Sequence, residues 1–217
     1  MPRATAISLI VSFPEYTELV QEMVALVKEE ISHFKLVHDK IIARGWTLGR
    51  DRKDSYVLEI LKFFPKGGSR TTQLVHRLLY AALIEARSCE RFRLLSEELK
   101  DKELAEFYKN LMISEANHYT MFLGFARKYG DRKEVDAKWQ QLLEYESEII
   151  SNLGKTTAIE NSKVIANILD SNKSAGLLYS TLNTQKVHKL LLDQEFKKLS
   201  KIKMAAHLCA AILINSL

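Results

Sequence analysis

The sequence predicts an all-α fold, and three observations carry that prediction. Apolar residues recur at helical spacing over long stretches. Only 8 Gly and 3 Pro occur in 217 residues, few turn-formers for a sheet protein of this length. Hydrophobic residues make up 47% and charged residues 27%, a globular balance that argues against intrinsic disorder. The length suits one globular domain, with or without an appendage.

The elements follow in order. Ala4-Thr-Ala-Ile-Ser-Leu-Ile-Val11 reads as the closing part of a helix. Ser12-Phe-Pro-Glu15 has the form of a new helix start, with Ser12 as N-cap, Glu15 three residues on and Pro14 in the first turn. Leu19, Met23, Leu26, Val27, Ile31, Phe34, Val37 and Ile41 then hold helical spacing to about Ala43, where Gly45 and Gly49 break it. From Arg44 to Arg77 the chain is basic and irregular, with eight Lys/Arg against Asp51, Asp54 and Glu59. A short apolar segment, Tyr56 to Phe64, lies inside it and ends at Pro65-Lys-Gly-Gly68. Ser69 or Thr71 can cap a helix to about Leu99, and Asp101 another to Tyr129, with Gly130 as its C′ residue. Asp131 and Glu134 form a capping-box pair for a helix to about Asn152.

Beyond Glu160 the texture changes: Arg vanishes, and Lys, Asn, Ser and Leu dominate. Residues 1–160 hold 24 Lys/Arg and 24 Asp/Glu, whereas residues 161–217 hold 8 Lys against 3 acids, so 8 − 3 accounts for the whole net charge of +5. Whole-chain charge therefore says little about what the main body binds. The expected division is a bundle over 1–160 and a basic, weakly specified helical tail over 161–217. Two cysteines, Cys89 and Cys209, cannot make a disulfide framework. Nothing at the N-terminus reads as a signal peptide, and the longest apolar stretch, Met204 to Ile214, is too short to span a bilayer. These features predict a cytoplasmic protein without a membrane partner.

Two Glu-x-x-His steps stand out, Glu30-Ile-Ser-His33 and Glu115-Ala-Asn-His118. Residues three apart share a helix face, so each pair can present a carboxylate and an imidazole to one metal ion. With 19 Glu and 6 His in 217 residues, chance supplies 19 × 6/217, about 0.5 such steps. Glu85 lies among Leu79, Ala81, Ala82, Leu83 and Ile84, where an unpaired carboxylate is expensive to bury and calls for a cation. Helix bundles that hold two metal ions use Glu from two helices and Glu-x-x-His from each of the other two. Spacing alone still leaves open solvated Glu and satisfied His on helix surfaces.

Longer motifs add a resemblance. Ile84-Glu-Ala-Arg-Ser-Cys-Glu-Arg-Phe92, Ser114-Glu-Ala-Asn-His-Tyr119, Glu29-Glu-Ile-Ser-His-Phe34 and Gly130-Asp-Arg-Lys-Glu-Val135 closely resemble the bacterial tRNA hydroxylase family MiaE, over roughly residues 4 to 159. The resemblance implies a ferritin-like four-helix bundle with a truncated first helix. It implies a non-haem di-iron monooxygenase, with O₂ as co-substrate and electrons from an external donor, supplied by an unidentified reductase. The substrate would be the isopentenyl group of 2-methylthio-isopentenyladenosine next to the anticodon in tRNA. Carried over by position, Glu30, His33, Glu85, Glu115 and His118 correspond to iron ligands. The family's first helix supplies a further Glu, which would lie upstream of Met1, so weak or no turnover is expected of the chain as written. Arg44, Arg50, Arg52 and Lys53 would meet the phosphates of the anticodon arm, a contact independent of sequence, and the modified base would be splayed from its single-stranded loop. Two other readings remain: another di-iron oxidase of the same fold, and a metal-deficient bundle that binds tRNA or iron without turnover. Arg87, Glu90 and Arg91 are expected to form an ion-pair network or to flank the ligands, Cys89 to be a small core residue, and His38 and His76 to be ordinary.

Overall fold

The computed structural model describes residues 5–49 and 55–171, with side-chain surroundings through Asn152. Arg50, Arg52, Lys53 and the chain beyond Ser171 lie outside the described residues. Among the described residues six helices follow one another: α1 (Thr5–Ser12), α2 (Thr17–Ala43), α3 (Ser55–Lys62), α4 (Arg70–Glu98), α5 (Lys102–Tyr129) and α6 (Arg132–Ser171). No strand occurs among the described residues, and the predicted all-α class holds. No described helix is long and apolar enough to cross a membrane.

Local chemistry sets most boundaries. Ser69 caps α4 by accepting the Thr72 N–H, and Asp101 caps α5 by accepting from Leu104. Asp131 accepts the N–H groups of Lys133 and Glu134 at the start of α6. Gly45, at φ +70°, ends α2 in a conformation that side chains with a Cβ rarely adopt.

The start of α2 corrects the sequence reading. Ser12 is not an N-cap but the last residue of α1, whose hydrogen bonding continues with Phe13 N–H donating to the Leu9 carbonyl. The Ser12 hydroxyl accepts from the Arg77 guanidinium and its carbonyl from Arg70, so neither is free to open α2. Tyr16 occupies the N-cap position of α2 with no side-chain cap. The last helix also differs: α6 runs on to Ser171, well past Asn152. The stretch after Asn152 contains no Pro, so nothing in it breaks the helix when the apolar periodicity fades.

Gly130 stops α5, as its C-cap rather than the expected C′ residue, and not in a left-handed conformation. Its φ is −103°, and it is required for room: a Cβ there would stand 2.8 Å from methyl groups of both Val75 and Val135. Both valines are buried. Gly130→Ala should therefore destabilise the fold by overpacking, by about 1–2 kcal/mol, read as a lower urea midpoint with an unchanged slope.

α4 and α5, joined by only three residues, pack as the main antiparallel hairpin, and α1 packs on α2. Two apolar cores result. The larger joins Leu9, Leu19, Met23 and Leu26 to Leu74–Leu83 of α4, Phe122–Ala126 of α5, and Val135, Trp139, Leu142 and Ile149 of α6. The smaller joins Val37 and Ile41 to Phe92, Leu95, Leu104, Tyr108 and Leu111, with Phe92 and Tyr108 stacked at 5.6 Å. Along α2, α4 and α5 alike, the buried residues between these two cores are polar: Glu30, then Glu85 and Ser88, then Ser114, Glu115 and His118. Each helix thus contributes one polar step at the same height.

Candidate metal centre

That step is where the sequence-selected residues meet. Glu30, Glu85, Glu115 and His118 are buried, and His33 is nearly so. One ligand atom each from Glu30, Glu115 and His118 lie within 4.8 Å of one another. His118 Nδ1 stands 3.2 Å from Glu30 Oε1 and 4.0 Å from Glu115 Oε2, and His33 Nδ1 stands 3.7 Å from Glu30 Oε1. Glu85 is hydrogen-bonded to Glu115 and lies close enough to feel the charges of Glu30, His118 and His33. The structure thus brings all five onto one layer from three helices.

The layer is rich in anions. Burial alone would lower the His118 pKa, but Glu30, Glu85 and Glu29 overcome it and push it to about 9. Burial alone would raise that of Glu30, but His118 and His33 hold it down at about 2. Glu85 goes the other way: burial raises it first, and the Glu30 charge adds to that. Both oxygens of Glu30, one of Glu85, Nδ1 of His33 and both nitrogens of His118 are buried without a hydrogen bond of acceptable geometry. Buried polar atoms are normally satisfied. Mutually close carboxylates and imidazoles with so many unsatisfied atoms around one volume fit a bound cation. Carboxylate and imidazole without thiolate suit iron or manganese, and a mixed O/N set of this kind leaves positions for a small co-substrate.

Two residues of importance were not singled out from sequence. Glu29, next to Glu30, accepts from the Ser114 hydroxyl and lies 3.2 Å from His118 Nε2. Its spacing to His33, four residues, was a usable signal that the three-residue pattern hid. Glu146 on α6 is fully buried, accepts two hydrogen bonds from the Arg87 guanidinium and one from the Tyr56 hydroxyl. Arg87 also donates to Glu90, so the expected ion-pair network is present, anchored by a residue 59 positions away.

The basic stretch is more structural than its charge suggests. Arg44 donates to the Lys40 carbonyl and lies 3.6 Å from Asp101. Arg70 holds Glu15, at 2.9 Å, and Arg77 holds Ser8 and Ser12. Lys62 pairs with Glu59. His76 lies against Phe64, with its pKa lowered by burial and then by Lys138, and His38 stacks on Phe34. Burial raises the Cys89 thiol, which is not a reactive setting.

A cavity of about 260 Å³ opens between α2 and α5. His33, Ser114 and Leu111 form its buried side, Leu36 and Phe107 add apolar wall, and Asn110 and Asn117 stand at the exposed rim. It leads from solvent to the imidazole of His33.

Comparison with known proteins agrees with this geometry. The model of the family described as tRNA-(MS[2]IO[6]A)-hydroxylase (MiaE) matches residues 2–161. A tRNA 2-(methylsulfanyl)-N(6)-isopentenyladenosine(37) hydroxylase of Pseudomonas putida is 36% identical over 132 residues, 61% of this chain and 63% of that protein. The hydroxylase of the same name from Salmonella typhimurium is 35% identical over 133 residues, 61% of this chain and 48% of that protein. The chain thus matches 63% and 48% of the length of these two relatives. Among solved structures, a Synechococcus protein with aldehyde deformylating oxygenase activity superposes with a TM-score of 0.62 at 28% identity, covering 66% of this chain and 71% of that one. That neighbour is a ferritin-like bundle, the architecture expected here. With a polar layer of Glu and His inside an all-α bundle, and a family match over most of its length, the chain belongs to the MiaE family of tRNA hydroxylases.

Proposed function

We propose that the chain hydroxylates the isopentenyl group of 2-methylthio-isopentenyladenosine in the anticodon loop of tRNA, in the cytoplasm, at a non-haem di-iron centre. The observation that carries the reading is the convergence of Glu30, His33, Glu85, Glu115 and His118 on one layer, in a chain whose family is named for that hydroxylation. These five residues would hold the iron. When bound, two ferrous ions supply the electrons that activate O₂ for attack on an unactivated carbon, chemistry no side chain can supply; an external donor, through a reductase, restores them.

The protein's own part is positioning and exclusion. The carboxylates neutralise the cations, and the two apolar cores keep bulk water off the layer from above and below. The cavity beside His33 matches an apolar prenyl chain along Leu36, Phe107 and Leu111, with the amides of Asn110 and Asn117 at the rim for the polar base. Arg44, Arg50, Arg52 and Lys53 would meet the backbone phosphates. Arg44 reaches them only by releasing Asp101.

The test is to load the protein anaerobically with Fe(II), admit air with a chemical reductant, and follow nucleosides from isopentenylated tRNA by mass spectrometry. Slow gain of one oxygen atom by the modified adenosine is expected, in keeping with the weak turnover anticipated for a site with these five ligands. An unchanged nucleoside with two irons bound per chain would overturn the reading. The tight group of Glu30, Glu115 and His118 fits a single ion and favours a second reading, a one-metal bundle that binds without turnover. Iron stoichiometry separates the two.

A further inference from the structure

We infer that Glu29 is a positioning residue that fixes both imidazoles of the centre, so that His33 and His118 each present Nδ1 to the metal; the inference rests on the metal-centre reading above. Both rings are set alike. Nδ1 of His118 and Nδ1 of His33 face Glu30 Oε1, at 3.2 and 3.7 Å. Their Nε2 atoms face the Glu29 carboxylate instead, His118 toward Oε2 at 3.2 Å and His33 toward Oε1 at 3.8 Å. One carboxylate therefore stands behind two rings, one oxygen to each.

A half-exposed glutamate on a helix surface would ordinarily sample many rotamers. This one is held: the buried Ser114 hydroxyl, from α5, donates to its Oε1. Glu29 is not itself placed to be a ligand. The two nitrogens of an imidazole point in divergent directions, and Glu29 lies on the Nε2 edge, away from Glu30 and Glu115. Its side chain is 47% exposed, against 7% and 1% for those two. A metal-bound histidine donates its other ring N–H to such an acceptor, which selects the tautomer and strengthens the ligand. The Nε2 separations are within or near reach of such a bond, and apo contacts of this kind are often poorly aligned before the site is filled.

The experiment compares wild type with Glu29→Ala, Glu29→Gln, Glu115→Gln and Glu22→Gln, an exposed carboxylate one heptad earlier on α2. Fe(II) and Co(II) affinities are measured by calorimetry, and the exchangeable imidazole N–H protons are counted by proton NMR of the Co(II) form. Wild type and Glu22→Gln should show two slowly exchanging ring N–H signals. Glu29→Ala should lose both to fast exchange and bind about 10–100-fold more weakly. Glu29→Gln, which keeps an acceptor oxygen, should recover part of each. If Glu29→Ala keeps wild-type affinity and both signals while Glu115→Gln loses the metal, the role of Glu29 is refuted and the centre stands. Equal weakening by Glu22→Gln would also refute it, as a general charge effect. Failure of wild type to take up either metal would remove the centre and this inference together.

Discussion

Glu85→Gln should leave the metal-free protein at least as stable as wild type while weakening Fe(II) binding by about 100-fold or more, since loss of an outer partner alone costs about 10–100-fold. Glu85 is buried beside Glu115 and within the field of Glu30, and burial followed by that charge raises its pKa. Metal-free, it is disposed to hold a proton, because neighbouring buried carboxylates cannot all ionise. The neutral amide keeps its volume and its hydrogen bond to Glu115, so the apo fold loses little and sheds a source of repulsion. The loaded state is different, since an amide contributes no charge and binds iron poorly. Anaerobic calorimetry with Fe(II) and thermal melting of chelator-treated protein check the two halves. A drop of several degrees in the apo midpoint with binding intact would make Glu85 a structural partner.

The parts of this site that could be read from sequence are those whose chemistry is local. A carboxylate and an imidazole three apart on one helix are visible in the string, and so is a Glu embedded in an apolar run; these gave Glu30, His33, Glu85, Glu115 and His118. Contacts that depend on tertiary approach were not visible. Glu146 pairs with Arg87 across 59 residues, and Ser114 reaches Glu29 across 85. The Ser12 error has the same origin. Its motif satisfies every local rule for an N-cap, yet Arg70 and Arg77 of α4 take its carbonyl and hydroxyl, and α1 extends through it. Gly130 marks a helix end in the string, but the reason is the approach of Val75 from another helix. Arg44, read as a phosphate contact, already has Asp101 at 3.6 Å.

Arg87→Ala should cost more stability than removal of its partner. Glu146 is 1% exposed, whereas the Arg87 side chain is 31% exposed. The guanidinium donates twice to Glu146 and again to Glu90, and Tyr56 adds a third donor to Glu146, its own pKa raised by burial and then by that carboxylate. Taking Arg87 away strands a buried anion with one neutral donor, a change worth about 3 kcal/mol, the low end for a broken buried pair because water can follow into the space. Glu146→Gln leaves the guanidinium about a third exposed to solvent with Glu90 still beside it, and should cost about 1 kcal/mol, that of a weakened hydrogen bond. The order of the two urea midpoints decides the matter. The same cluster ties α3, through Tyr56, to α4 and α6, only two residues beyond Glu85. Arg87→Ala should therefore also loosen α3, seen as faster amide exchange over Ser55–Lys62. Equal costs for the two variants, with unchanged exchange in α3, would mean that the cluster is a surface pair and that α3 is held by Ile60 and its apolar neighbours alone.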